Sequence, residues 1–249
     1  MPKFNQTDSL DQFNLQTSNY GFSGTRLDDL DASEYTLVTI VDDDSSSTSH
    51  LRNERENTIK MIVDACQKSP RADNLLLRLC KFADGFDEVH GFKRLQTIKK
   101  SDYDGCLGHG GLTALFDSAE NAIAASNSYG KTLSDNDYSV NAIVFVITDG
   151  MDNRSKLTTN QVRDALQAAM KEESLESLVS VLIGVNPNND PNLDQYLQRF
   201  KNESGFTQYV NIGEATAQKL AKLAEFVSKS ISAQSQALGT GGPSQSLSF

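Results

Sequence analysis

The sequence predicts an α/β fold, a three-layer, doubly wound sandwich whose sheet is mostly parallel with one short antiparallel edge strand. Three observations predict it. Continuous β-branched apolar runs recur along the chain. Amphipathic helical stripes separate them. The 249 residues suffice for one large α/β domain with a sizeable core. Strands buried on both faces read as unbroken apolar runs, and strand–helix alternation builds parallel sheets through right-handed crossovers.

Residues 1–33 read as a polar arm rich in Asn, Gln, Ser, Asp and Gly. Phe4, Phe13, Tyr20 and Phe22 interrupt the polarity and suit docking onto the domain. The domain itself spans 34–236. Its strands are Tyr35–Val41, Leu75–Phe82, Val140–Thr148, Leu178–Val185 and a shorter run, Tyr209–Ile212. Glu88–Leu95 follows a turn at Gly85 and reads as the antiparallel edge strand. Helices show in four stripes at helical spacing: Ile59, Ile62, Val63, Cys66; Leu115, Ala119, Ala122, Ile123; Val162, Leu166, Ala169, Met170; and Leu193, Tyr196, Leu197, Phe200. A last helix carries Leu220, Leu223, Val227 and Ile231. Each stripe is a core face. Residues 237–249, ending GTGGPSQSLSF, read as a flexible tail.

Lys and Arg total 23 against 33 Asp and Glu, a net charge of −10. That charge argues against nucleic acid or an anionic membrane as partner and suits a cation or a basic protein surface. Three cysteines, Cys66, Cys80 and Cys106, have no framework spacing, and Cys66 and Cys80 fall at apolar positions. The N-terminus shows no apolar signal region and no run approaches a membrane span, so the expected location is cytoplasmic.

Ligands of an open parallel sheet bind beyond the carboxyl ends of the strands. The first long strand ends in Asp43-Asp44-Ser45-Ser46-Ser47, and the run Val140–Thr148 ends in Thr148-Asp149-Gly150. Between them a glycine-rich loop, 108–111, leads to Thr113 at a helix start. No Walker loop, dinucleotide fingerprint or nucleophile elbow is present. The three histidines lack metal-ligand spacing, and Cys106 with His109 lacks the partners of a zinc site. His109 reads as a solvated loop residue and His90 as a strand histidine with a satisfied hydrogen bond. What remains is a set of oxygens from Asp, Ser, Ser, Thr and Asp, which suits a hard cation such as Mg²⁺.

This constellation resembles the von Willebrand factor A (vWA) domains, whose fold is Rossmann-like. Their metal-ion-dependent adhesion site (MIDAS) uses Asp-x-Ser-x-Ser, a Thr in a glycine-rich loop and an Asp in a later Thr-Asp-Gly. The matches are Asp43, Ser45 and Ser47 in DDSSS, Thr113 in GHGGLTALFDS and Asp149 in VFVITDGMDN. The resemblance covers about residues 35–232. The end of the last helix, EFVSKSISAQSQAL, and the motif TDGMDNRS are similar to TerY-like vWA proteins of bacterial tellurium-resistance and stress systems. There are two departures. Asp42 stands where an apolar residue is usual, and Ser46 replaces a glycine. The hydroxyl run also permits a second register, Asp44, Ser46 and Thr48. The first is preferred because it supplies serines at both ligand positions and lies nearer the apolar run. Asp42 and Asp44 would then be supporting negative charge or solvated acids.

The resemblance implies a non-enzymatic, Mg²⁺-dependent protein-binding module, with Mn²⁺ or Ca²⁺ as substitutes. It implies that Ser45, Ser47 and Thr113 bind the ion directly and that Asp43 and Asp149 act mainly through water. A protein partner's Asp or Glu would complete the coordination, and Thr113 would switch between direct and water-mediated contact as the loop moves. Two rival classes stand beside it. One is a Mg²⁺-dependent phosphohydrolase using the same acidic crevice, and the other is a structural subunit whose site holds no metal.

Overall fold

A computed structural model describes residues 10–15, 20–108, 110–172, 174–186, 189–213, 216–243 and 247–249. Phe4 and His109 therefore lie outside the described residues. The chain forms one eight-stranded sheet with helices on both faces. Two short strands open it, β1 (Leu10–Phe13) and β2 (Phe22–Thr25). The long strands are β3 (Glu34–Asp43), β4 (Leu75–Phe82), β5 (Phe86–Arg94), β6 (Ser139–Thr148), β7 (Leu178–Val185) and β8 (Gln208–Gly213). The helices are α1 (Arg52–Gln67), α2 (Leu115–Ser134), α3 (Thr159–Lys171), α4 (Pro191–Ser204) and α5 (Ala217–Thr240).

Strand order is β1-β2-β5-β4-β3-β6-β7-β8, with β3 to its neighbours β4 and β6 parallel and β4 to β5 antiparallel. The central strand β3 is buried on both faces, which is why its sequence runs apolar without alternating. Successive side chains still point to opposite layers. Val38 and Ile40 pack with Ile59, Ile62 and Val63 of α1 and Leu223, Val227 and Ile231 of α5. Val41 packs on the other face with Leu115 and Ala119 of α2, and Leu197 and Phe200 of α4 join the same cluster. The register pairs Asp42 with Ile147 and Asp43 with Phe82. The ends of β3, β4 and β6 therefore stand level, and the loops that leave them share one crevice.

The expected antiparallel strand exists as β5, but it is not the edge. The arm adds β1 and β2 beyond it. Gly91 of β5 makes the approach close: a side chain there would come within 2.0 Å of the Ser23 carbonyl oxygen. Ser23 donates through its hydroxyl to Glu88 Oε1 at 2.5 Å, and Glu88 pairs with the fully buried Arg78 at 2.7 Å. The Arg78 guanidinium lies 5.4 to 5.8 Å from the ring centres of Phe22, Phe86 and Phe92. A charge buried in β4 thus holds the arm to the sheet.

The C-terminal boundary also differs from the sequence expectation of a tail from residue 237. Helix α5 continues through Thr240 and stops at Gly241, which takes the left-handed φ of 65°. The polar letters of SAQSQAL conceal burial. Gln234 is fully buried, donating to Ser177 at 2.7 Å, and Ser235 accepts from Arg71 at 2.8 Å. Beyond the helix, Leu247 packs against the α1–α5 core and its carbonyl accepts from Gln208 at 2.9 Å. Phe249 meets Phe226 edge-on at 5.7 Å. The three cysteines are free, and burial pushes each thiol up to about 12. Among the described residues no helix is long and apolar enough to cross a membrane.

His90 is buried on β5, donating to the Gly91 carbonyl and accepting from the Tyr103 hydroxyl, both at 2.9 Å. Burial, foremost, lowers its pKa from 6.5 to about 4. Between those values the unfolded chain carries a proton on this ring that the folded chain does not, so the contribution is complete above 6.5 and lost as pH falls toward 4. His90→Gln should therefore flatten the fall in unfolding free energy between pH 7 and 4.5 by about 2–3 kcal/mol, read from urea melts against wild type. Parallel pH profiles would show that the ring is not buried neutral. A second variant tests the C-terminal contacts: Leu247→Ala with Phe249→Ala should cost about 1–2 kcal/mol in the same assay. An unchanged urea midpoint would mean that these side chains do not dock.

Candidate metal centre

The crevice at the strand ends is built outward from Asp43, the last residue of β3. Its carboxylate accepts from the Ser45 backbone N–H at 3.0 Å and from the Thr148 hydroxyl at 2.5 Å. Its own carbonyl accepts from Arg55. Burial, with the nearby Asp149 charge adding to it, pushes the Asp43 pKa up to about 6. A divalent cation between these two acids would favour the ionised form of both.

The hydroxyls follow in sequence. Ser45 is buried, and its hydroxyl lies 3.0 Å from that of Ser47. Ser47 is exposed and donates to Asp149 at 2.6 Å. Thr113 is buried, and two main-chain bonds fix it: its N–H donates to the Asn153 side chain at 2.7 Å, and its carbonyl accepts from Asn153 at 3.0 Å. Its hydroxyl faces Gly150, where an added methyl would stand 3.2 Å away. Hydrogen bonds thus link Asp43, Ser45, Ser47 and Asp149 of the residues read from the sequence, and Thr113 stands beside Gly150, the neighbour of Asp149. The crevice runs from a buried floor to an open mouth at Ser47 and Asp149.

The alternate positions face elsewhere. Asp44 accepts from the Gly108 N–H at 2.6 Å, and the Ser46 hydroxyl accepts from the Gly111 N–H at 2.9 Å. Two backbone bonds complete the clamp: Gly110 N–H to the Asp44 carbonyl and Ser46 N–H to the Gly111 carbonyl, both at 3.1 Å. Asp44 and Ser46, two members of the second register, therefore hold the glycine-rich loop. The side chain of Thr48 lies outside the described residues. Gly111 needs its glycine, because φ is 121° and a side chain would come within 2.9 Å of the Asp84 carboxylate.

Asp42 and Asp44 need a correction, since neither is a solvated acid. Asp42 is buried against Arg55 of α1 at 2.8 Å. Asp44 is buried 3.6 Å from Lys81 of β4, whose ammonium also donates to the Cys106 carbonyl at 2.7 Å. Burial is the largest influence on Asp42 and raises its pKa, while Arg55 opposes it. Sequence reasoning missed Arg55, Lys81 and Asn153. Lys81 did leave a signal: with Arg78 it is one of two cations inside an otherwise apolar strand, and it lies one residue from the strand's end.

The donor set is two carboxylates and three hydroxyls, all hard oxygens, which fits Mg²⁺ and related hard cations. Among the described residues no group of three or more His, Cys, Asp or Glu is placed to hold a metal. Any ion here would rest on the Ser and Thr hydroxyls together with Asp43 and Asp149.

No protein-family profile and no curated protein sequence matches the chain. Solved structures do. The D319A mutant of the PilB minor pilin from Streptococcus sanguinis superposes with a TM-score of 0.60 at 14% identity, over 88% of this chain and 66% of that one. Proximal thread matrix protein 1 (PTMP1) from the mussel byssus gives 0.56 at 23% identity, over 82% of this chain and 47% of its own. The same mussel protein with a zinc-occupied MIDAS motif gives 0.51 at 22% identity, over 80% and 46%. The chain thus spans two thirds or less of the length of each. The architecture it shares with them, a mostly parallel sheet flanked by helices, is a vWA-like fold.

Proposed function

We propose that this chain is a non-enzymatic, metal-dependent protein-binding module. Mg²⁺ would be held by Ser45, Ser47 and Thr113, with Asp43 and Asp149 behind them. The observation that carries this reading is the hydroxyl bridge: Ser47 touches both Ser45 and Asp149, so oxygens from separate loops already meet at one point. An ion held largely by neutral hydroxyls keeps much of its charge and draws a carboxylate from outside, here an Asp or Glu of a protein partner. The exposed mouth at Ser47 leaves room for that ligand. Three free cysteines accord with a reducing, cytoplasmic setting. The TerY-like ending of α5 suits a role in assembling partners in a bacterial stress system.

A phosphohydrolase would need a basic group free to hold phosphate. Arg154, the basic residue nearest the Thr-Asp-Gly motif, lies 4.0 Å from Asp84. A generic phosphoester with Mg²⁺ should therefore show no turnover above the buffer rate. Hydrolysis that is lost on Asp149→Ala would replace this reading with the enzymatic one.

The metal itself is tested by melting. An ion that binds only the folded chain stabilises it by about 2.7 kcal/mol at 100 times Kd, or about 5–10 °C for a domain of this size. Mg²⁺ or Mn²⁺ should produce that rise over EDTA. Ser45→Ala with Ser47→Ala, or Asp149→Ala, should abolish it while leaving a folded protein. Identical wild-type curves in EDTA and excess Mg²⁺ would remove the metal from the proposal.

A further inference from the structure

Helix α1 carries Arg52, Glu56 and Lys60 four residues apart, so the three share one face. All three reach the segment that enters the glycine-rich loop. Lys60 pairs with Asp104 at 2.5 Å. Glu56, 6% exposed, accepts from the Gly105 N–H at 3.1 Å and from the Leu107 N–H at 3.2 Å. Arg52 donates to the Gly108 carbonyl at 3.2 Å. From other elements, Lys81 donates to the Cys106 carbonyl and Asp44 accepts from the Gly108 N–H.

Residues 105–108 thus take their place from charged side chains rather than from a strand or helix ladder. A backbone segment held in this way follows the elements that carry those side chains. The stretch beyond it has little stiffness of its own: Gly108, Gly110 and Gly111 all have positive φ, at 119°, 71° and 121°. Thr113 lies at its far end. Helix α1 is also continuous with Ser45 and Ser47, through the short 3₁₀ turn Ser46–Leu51. Glu56, with two bonds to the segment, is therefore the residue through which one helix joins both hydroxyl-bearing loops.

Resting on the proposed metal reading, we infer that Glu56 is a positioning residue of the metal centre: through Gly105 and Leu107 it fixes the glycine-rich loop, and with it Thr113, relative to Ser45 and Ser47. Its bonds run to backbone N–H groups, so it acts through the loop and not on the ion. Groups behind the direct ligands set ligand orientation and hence metal affinity. A hydroxyl is a neutral ligand, so a misplaced Thr113 has no charge with which to draw the ion back. Asp44 and Ser46 hold the loop further along, but both belong to the same turn as Ser45 and Ser47. Glu56 anchors it instead from the body of a long helix, which fixes the angle between the two loops as well as their contact.

The test titrates Mn²⁺ into the full chain, reading the free ion by electron paramagnetic resonance, and follows backbone amide exchange by NMR in EDTA. Glu56→Ala should weaken Mn²⁺ binding about 10- to 100-fold. Glu56→Gln, which keeps one acceptor oxygen, should weaken it less and carries the test if the alanine variant does not fold. In EDTA the Gly111 N–H, which Glu56 does not touch, should exchange about tenfold faster in the Glu56 variants than in wild type. The double variant Leu247→Ala with Phe249→Ala, whose lost contacts are with Gln208 and Phe226, should keep the wild-type Mn²⁺ affinity. Wild-type affinity in the Glu56 variants, an equal loss in that double variant, or faster exchange confined to Gly105 and Leu107 overturns the positioning role. Absence of Mn²⁺ binding by wild type overturns the metal reading, and the positioning role with it.

Discussion

The rest of this structure depends on one electrostatic constraint, the burial of three consecutive carboxylates, Asp42, Asp43 and Asp44, at the end of the central strand. Removing a carboxylate from water costs several kcal/mol unless charge and hydrogen bonds compensate it. The fold answers each acid differently. Asp42 points toward α1 and meets Arg55 at 2.8 Å. Asp44 meets the Gly108 N–H at 2.6 Å and stands 3.6 Å from Lys81. Asp43 takes the Thr148 hydroxyl and the Ser45 N–H, and Asp149 raises its pKa further. The acid density that looks excessive in the sequence thus resolves into separate tasks. One acid ties the strand to a helix, one ties it to a loop, and one lines the crevice.

The division follows from strand geometry. Successive side chains of β3 face opposite layers, so the carboxylates of Asp42 and Asp43 meet different side chains, Arg55 and Thr148. The alternation continues past the strand end. Asp43, Ser45 and Ser47 turn toward Asp149, while Asp44 and Ser46 turn toward the glycine-rich loop. Positions between the candidate ligands therefore place Thr113, because they clamp the loop that leads to it. Ser46 has a particular part in this. Where the related motif has glycine, its hydroxyl here adds a bond to Gly111 that glycine could not make.

Much of the fold was legible because long-range packing agrees with local pattern. The five apolar runs became β3, β4, β6, β7 and β8 with boundaries within about two residues, since strands buried on both faces need unbroken apolar sequence. The candidate site was legible because its residues cluster in short motifs at strand ends. The arm was not. Its strands are four residues each, LDQF and FSGT, and they pair only because Glu88, Arg78 and Gly91 offer a docking surface that is distant in sequence. The end of α5 was obscured for a similar reason. Gln234 and Ser235 read as polar, yet they are buried by bonds to Ser177 and Arg71, tens to more than a hundred residues away. Arg55 was hidden by its setting, an RNERE run that resembles any solvated helix start.

The hydrogen bonds of the crevice bear on how it would accept an ion. Ser45, Ser47 and Asp149 already form a connected chain of oxygens, and Asn153 fixes Thr113 through two main-chain bonds. The entropy of gathering donors from three loops is therefore a cost of folding and is not charged to metal binding. An entering cation would exchange hydroxyl–carboxylate bonds for metal–oxygen bonds over small displacements, with the clamp at Asp44 and Ser46 resisting larger ones.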